Sequence, residues 1–121
     1  MKKTVVLGAS TNSYKYAYQA VTRLLQNGHD TVPIGINPGI IHGVEILDLK
    51  QKPTVPDIDT ITLYLSPPHQ DEWSDYILSL KPKRIIFNPG AENSLLKQKS
   101  KAENIETVEA CTLVMLSVGN Y

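Results

Sequence analysis

The sequence predicts an α/β protein: a doubly wound parallel sheet with helices on both faces, in three layers α/β/α. Three observations predict it. Short apolar runs alternate along the chain with segments whose apolar residues recur at three- and four-residue steps. The run from Thr60 to Leu65 is β-branched and nearly all apolar, as a strand covered on both faces must be. The first run, Thr4 to Leu7, stops at the small residues Gly8-Ala9-Ser10 and is soon followed by a helical pattern, the unit that opens such a sheet.

Each element has its own local cause. After the first strand, Tyr14, Ala17, Tyr18, Val21, Leu24 and Leu25 mark one buried helix face. Asn27-Gly28 stops that helix, with Gly28 suited to a left-handed cap. A second strand runs from Thr31 to Ile36 and is broken by Asn37-Pro38-Gly39. The stretch from Ile40 to Pro56 is expected to hold a short third strand near Val44 to Leu47. Thr60 to Leu65 follows, ended by Ser66-Pro67-Pro68. Proline suits the first turn of the next helix, and Asp71 and Glu72 favour its positive end. Trp73, Tyr76, Ile77 and Leu80 form its buried stripe, and Lys81-Pro82 ends it. Arg84 to Phe87 is a strand, Asn88-Pro89-Gly90 a turn, and Asn93 or Ser94 the cap of a helix ending near Glu103. Glu106 to Val108 is a last short strand, and Cys111 to Leu116 makes one or two helical turns. Right-handed crossovers give the expected order 3-2-1-4-5. The switch point then lies between the first strand and the Thr60 strand.

The bulk properties bound the function. The 121 residues are expected to form one domain, 1–121. Twelve basic and twelve acidic residues cancel to zero net charge, which argues against a nucleic-acid surface. No apolar run approaches the roughly 20 residues that cross a bilayer. Met1-Lys2-Lys3 leads straight into a strand, so no signal peptide is expected. The lone Cys111 fits a reducing, cytoplasmic setting.

Two loops meet at the switch point: Gly8 to Asn12, and Ser66 to Pro68. Asn37 and the Asn88 to Gly90 turn flank them. A glycine turn ahead of a helix N-terminus aims backbone N–H groups at its occupant, so an anion is the natural guest. Gly8, Ser10 and Ser13 stand where a full dinucleotide fingerprint would have three glycines. Ser10, Thr11, Asn12 and Ser13 add donors suited to a pyrophosphate, or cap the helix. Asn37 ends the second strand where nicotinamide enzymes place an acid for the ribose, which counts against a dehydrogenase. No catalytic or metal constellation is evident. His29 and His42 read as loop residues and His69 as a helix-start residue beside the crevice. No metal-ligand spacing links them to Cys111. Lys97, Lys99 and Lys101 read as a solvated helix face, and Cys111 as a small buried hydrophobe.

Taken in order, these features resemble the small stand-alone coenzyme A-binding domain proteins, related to the nucleotide-binding domain of the succinyl-CoA synthetase alpha subunit. The resemblance spans nearly the whole chain. It rests on Gly8-Ala9-Ser10 after the first strand, Leu24-Leu25 and Gly28-His29, Pro33 with Asn37-Pro38, and Gly43. Asp59, Ser66-Pro67, Pro89-Gly90 with Glu92-Asn93, and Cys111 complete the set. It implies a Rossmann-like fold that binds coenzyme A, an acyl-CoA or a similar nucleotide. Carried over by position, Gly8, Ala9, Ser10 and Asn12 would contact the diphosphate, and Asn37 would lie near the adenosine ribose. Ser66 and Pro67 would wall the crevice near the adenine and pantetheine arm, with Asn88, Pro89 and Gly90 at the far rim. Related sequences often carry a basic residue after the Asn-Pro of the second strand, suited to the 3′-phosphate. Here Gly39-Ile40 stands there, and Lys15 is the nearest candidate replacement. Thr112 follows Cys111 where the family often has proline. Ligase activity is not expected from the resemblance, since these 121 residues do not include the synthetase's phosphohistidine domain.

The expected function is therefore non-catalytic binding of coenzyme A or an acyl-CoA. Two other classes stay open: a small NAD(P)-dependent oxidoreductase, and a degenerate fold used as a protein-interaction module. The expected partner is a small nucleotide ligand, with no nucleic acid, no membrane and no metal.

Overall fold

Alternate residues of the first strand enter two different cores. Val5 and Leu7 join one cluster, and Val6 joins another. Side chains alternate across a strand, so the two clusters lie on opposite faces of one sheet. A computed structural model describes the whole chain, Met1 to Tyr121. Its elements are β1 (Thr4–Leu7), α1 (Tyr16–Gln26), β2 (Thr31–Gly35), β3 (Ile40–Ile41), β4 (Val44–Glu45), β5 (Leu47–Asp48), a 3-10 turn (Leu49–Gln51), β6 (Thr60–Leu63), α2 (Pro67–Ser79), β7 (Arg84–Phe87), α3 (Ser94–Ala102), β8 (Glu106–Glu109) and α4 (Thr112–Ser117). The sheet order is β5-β2-β1-β6-β7-β8, with every neighbouring pair parallel.

The larger core lies under α2 and α3, with Tyr76, Ile77 and Leu96 packed on Ile61, Leu63, Ile85 and Phe87. The smaller lies under α1, where Ala17, Val21 and Leu24 meet Val6. Leu116 of α4 and Tyr121 pack against its edge. All residues of β1, β6 and β7 are buried, while β8 at the sheet edge is largely accessible. β2 tolerates Pro33 because β5 pairs only with Ile34 and Gly35. No strand lies beside Pro33 on its outer side to require the missing N–H.

The expected class is present, and the order differs from the expected one by a sixth strand, β8, added outside β7. The third strand differs more. Val44–Glu45 does not join the main sheet but pairs antiparallel with Ile40–Ile41, and Leu47–Asp48 forms the edge strand instead. His42-Gly43 forms the hairpin turn, both with positive φ, as the primed turn of a two-residue hairpin needs. The His42 ring lies over α1, with Nε2 2.8 Å from the Thr22 hydroxyl. Gly28 has positive φ, its N–H donates to Leu25 O, and the His29 N–H donates to Leu24 O, closing α1 as anticipated. Tyr14 departs from its expected buried face: it precedes the helix and is 91% exposed. Asp71 and Glu72 sit beyond the first turn of α2. No helix is long and apolar enough to cross a membrane.

Candidate functional site

β1 runs between β2 and β6. It leads into α1 on one face, and β6 leads into α2 on the other. The loops after them part at that point and leave a crevice at the carboxyl ends of the strands. It is lined by Gly8, Ala9, Ser10, Lys15, Ile36, Asn37, Tyr64, Leu65, Ser66 and His69, with a volume of about 320 Å³. Gly8, Ala9, Ser10, Lys15, Asn37 and Ser66 are thus brought together. No carboxylate is in the lining, and Lys15 supplies a positive charge.

The loop from Gly8 to Lys15 is held by a small set of contacts. Gly8 has φ +102, and a Cβ there would meet the Tyr64–Leu65 backbone at 3.2 to 3.3 Å. Only glycine lets β1 end so close to the neighbouring strand. The Gly8 and Ala9 amides both donate to Ile34 O, at 2.9 and 3.0 Å. Gly35 packs against the Ala9 carbonyl so closely that a Cβ would collide with it. Asn12 Oδ1 accepts from the Tyr14 N–H, the Asn12 N–H donates to Ser10 Oγ, and the Lys15 N–H donates to Asn12 O. These bonds leave the amides of Ser10, Thr11 and Ser13, and of Tyr16 to Tyr18 in the first turn of α1, without intramolecular acceptors. Asn12 itself does not line the crevice; its side chain shapes the loop.

Opposite the loop, Ser66 precedes α2 without capping it, and its Oγ is 3.4 Å from His69 Nδ1. Pro67 is the first residue of α2 and lies outside the crevice lining. Gln70, which the sequence did not single out, is fully buried. Its amide donates to Leu65 O at 2.8 Å and Ala91 O at 2.7 Å, tying the loop after β6 to the turn after β7.

Asn88 and Pro89 stand in the wall of a second cavity, of about 400 Å³, with Tyr16, Tyr64, Cys111, Leu113 and Val114. Asn88 is buried, and its amide hydrogen-bonding groups are engaged. Nδ2 donates to Thr62 Oγ1 and Leu63 O, and Oδ1 accepts from the Thr112 N–H. Gly90 is exposed, and its N–H donates to Glu92 Oε1. Tyr64 is shared by the two cavities. Burial pushes its hydroxyl pKa well up, so it remains a neutral phenol. That hydroxyl is buried without a partner; the nearby Thr62 and Thr112 hydroxyls are bonded to each other at 2.7 Å. Sequence reasoning missed Tyr64 because β6 ends at Leu63, not Leu65. The available signal was position: the residues just past the switch-point strand face the crevice.

Comparison with known proteins agrees with this architecture. The family model described as "CoA binding domain" matches residues 2–117, and the chain belongs to that family. A crystal structure of an uncharacterised protein is 46% identical, with a TM-score of 0.96 over 100% of this chain and 98% of that one. A Thermus thermophilus protein is 19% identical, with a TM-score of 0.85 over 99% of this chain and 90% of that one. The dinucleotide-forming acetyl-coenzyme A synthetase 1 of Ca. Korarchaeum cryptofilum, solved with phosphate and ADP, is 17% identical, with a TM-score of 0.70. That match covers 89% of this chain and 25% of that one. No curated protein matches the chain.

Proposed function

We propose that this member of the CoA-binding domain family holds coenzyme A or an acyl-CoA in the crevice between the β1 and β6 loops, without doing chemistry on it. One observation carries the reading. Ser10 and Lys15 line a cleft that holds no carboxylate, and the loop carrying them continues through the unpaired amides of Thr11, Ser13 and the first turn of α1. That combination suits a diphosphate, which accepts many short hydrogen bonds and needs a counter-charge. Gly8 and Ala9 act by close backbone approach, because their N–H groups already serve Ile34. Asn37 neighbours the adenosine ribose. Ser66, with Pro67 behind it, walls the opposite side.

Lys15 is also the candidate for the 3′-phosphate, since no other lysine or arginine lines the crevice. A side chain at Gly39 would meet the Thr11 methyl, so a basic residue there would require the exposed Thr11 side chain to turn aside. The oxidoreductase reading is weaker, since Asn37 cannot accept both ribose hydroxyls as a carboxylate does. The interaction-module reading draws on Tyr14 and Tyr16, 91% and 69% exposed at the loop.

Titration calorimetry with coenzyme A, dephospho-coenzyme A, ADP, NAD and NADP tests the proposal. Coenzyme A is expected to bind, with dephospho-coenzyme A weaker by the contribution of the 3′-phosphate. At one hundred times its dissociation constant, coenzyme A should stabilise the fold by about 2.7 kcal/mol. Heat with NAD and none with coenzyme A would overturn the reading. Heat with none of the five would favour the interaction module.

A further inference from the structure

We propose that the cavity behind Tyr64 is an acyl subsite: it takes the apolar chain of a thioester whose nucleotide lies in the crevice. The protein then selects acyl-CoA with an apolar chain over free coenzyme A. This rests on the coenzyme A reading above and narrows its ligand class.

The lining is the first argument. Tyr16, Tyr64, Pro89, Leu113 and Val114 supply rings and aliphatic carbons, and no charged residue takes part. The polar side chain in the wall, Asn88, is fully engaged with Thr62, Leu63 and Thr112. The Tyr64 hydroxyl is buried away from the cavity surface, so its ring alone is presented. A polar ligand entering here would give up its bonds to water and gain few in return. An apolar chain gains free energy from the same move.

Continuity is the second argument. Tyr64 stands in the walls of both the crevice and the cavity. Lys15, in the crevice, and Tyr16, in the cavity, are consecutive residues at the start of α1. A ligand with an anionic, hydrogen-bonding end and an apolar end can reach both spaces, in an acyl-CoA with its pantetheine arm folded over Tyr64 between them. The cavity's volume of about 400 Å³ lies within the roughly 300–1,000 Å³ of small-molecule sites. Val114 in its lining is 56% exposed although it lies on a helix packed against the fold.

Calorimetry with coenzyme A, acetyl-, hexanoyl- and octanoyl-CoA tests the subsite, with reductant present to keep Cys111 a thiol. A fully buried methylene is worth about fourfold in affinity, so hexanoyl-CoA should bind at least about tenfold more tightly than acetyl-CoA even if burial is partial. In Val114→Asn, and in Leu113→Phe, which narrows the cavity, hexanoyl-CoA should fall to within about twofold of acetyl-CoA measured on the same variant. Thermal melting of each variant separates this from misfolding. Equal affinity for coenzyme A and all three thioesters would overturn the subsite and leave the coenzyme A reading standing. No binding of any of the four would overturn both.

Discussion

The crevice beside Lys15 and the cavity behind Tyr64 share a wall but treat their polar groups in opposite ways. In the crevice, the loop between β1 and α1 leaves a run of amides without acceptors, and Ser66 and His69 are exposed opposite it. In the cavity wall, Asn88 satisfies Thr62, Leu63 and Thr112, and apolar surface is what remains accessible. Unpaired donors at a surface cost little because water serves them, and they can be passed to an anion. Unpaired donors in the interior cost the full desolvation penalty, so the fold pairs the Asn88 amide, and the Tyr64 hydroxyl is the exception in that wall. The carboxyl ends of the central strands therefore present open backbone donors and an apolar wall a strand apart.

The largest expected effect breaks the paired side. Asn88→Ala strands the Thr112 N–H in the core and takes a donor from the Leu63 carbonyl and from the Thr62 hydroxyl, which keeps its bond to Thr112, at a cost of about 3 kcal/mol. Urea denaturation measures it, and a loss under about 1 kcal/mol would mean that water replaces the amide. Gly35→Ala strikes the unpaired side through its support. The added methyl meets the Ala9 carbonyl, so the loop must shift. A stability loss of about 2 kcal/mol is expected, together with weaker coenzyme A binding by calorimetry. Lys15→Ala isolates the charge. The side chain is exposed, so melting should be unchanged, while coenzyme A affinity falls about fivefold, as loss of roughly 1 kcal/mol of ion pairing implies. If affinity holds, the amides alone carry the phosphates.

Tyr64→Phe tests the shared wall. It removes a buried hydroxyl that has no partner, so stability should hold or rise by up to about 1 kcal/mol. A clear loss in the same denaturation assay would reveal a hydrogen bond to Thr62 or Thr112. The smallest effect lies away from both regions, at His29. Burial, then the nearby N-terminal ammonium, lowers its pKa from 6.5; the Lys2 N–H donates to its Nδ1. Below 6.5 the unfolded chain takes up a proton that the folded chain resists. Its contribution is therefore present above 6.5 and is lost as pH falls from there toward the lowered folded value. His29→Gln should flatten that part of the stability–pH curve, read from melting temperatures.

Much of the fold was legible because its signals are local. Apolar runs, the Asn27-Gly28 stop and the Asn88-Pro89-Gly90 turn act over a few residues. The structure shows a matching cap bond from His29 to Leu24 and a turn bond from Ala91 to Asn88. Val44 was less legible, since a two-residue strand fits a hairpin as well as a sheet edge. Tyr14 had the right spacing for α1, but the bonds to Asn12 held it and Lys15 in the loop, and the helix began at Tyr16.

The sequence by itself determined the alternation of strands and helices, the small-residue turn after β1 and the missing acid at Asn37. Tertiary structure decided which polar groups stay free. Gln70 reaches Ala91 across 21 positions, and Asn88 reaches Thr62 across 26. A hydrogen bond between residues so far apart leaves no periodic trace in the chain, because either partner alone looks like a surface amide or hydroxyl. Burial made them structural, and the same packing left the amides beside Lys15 open.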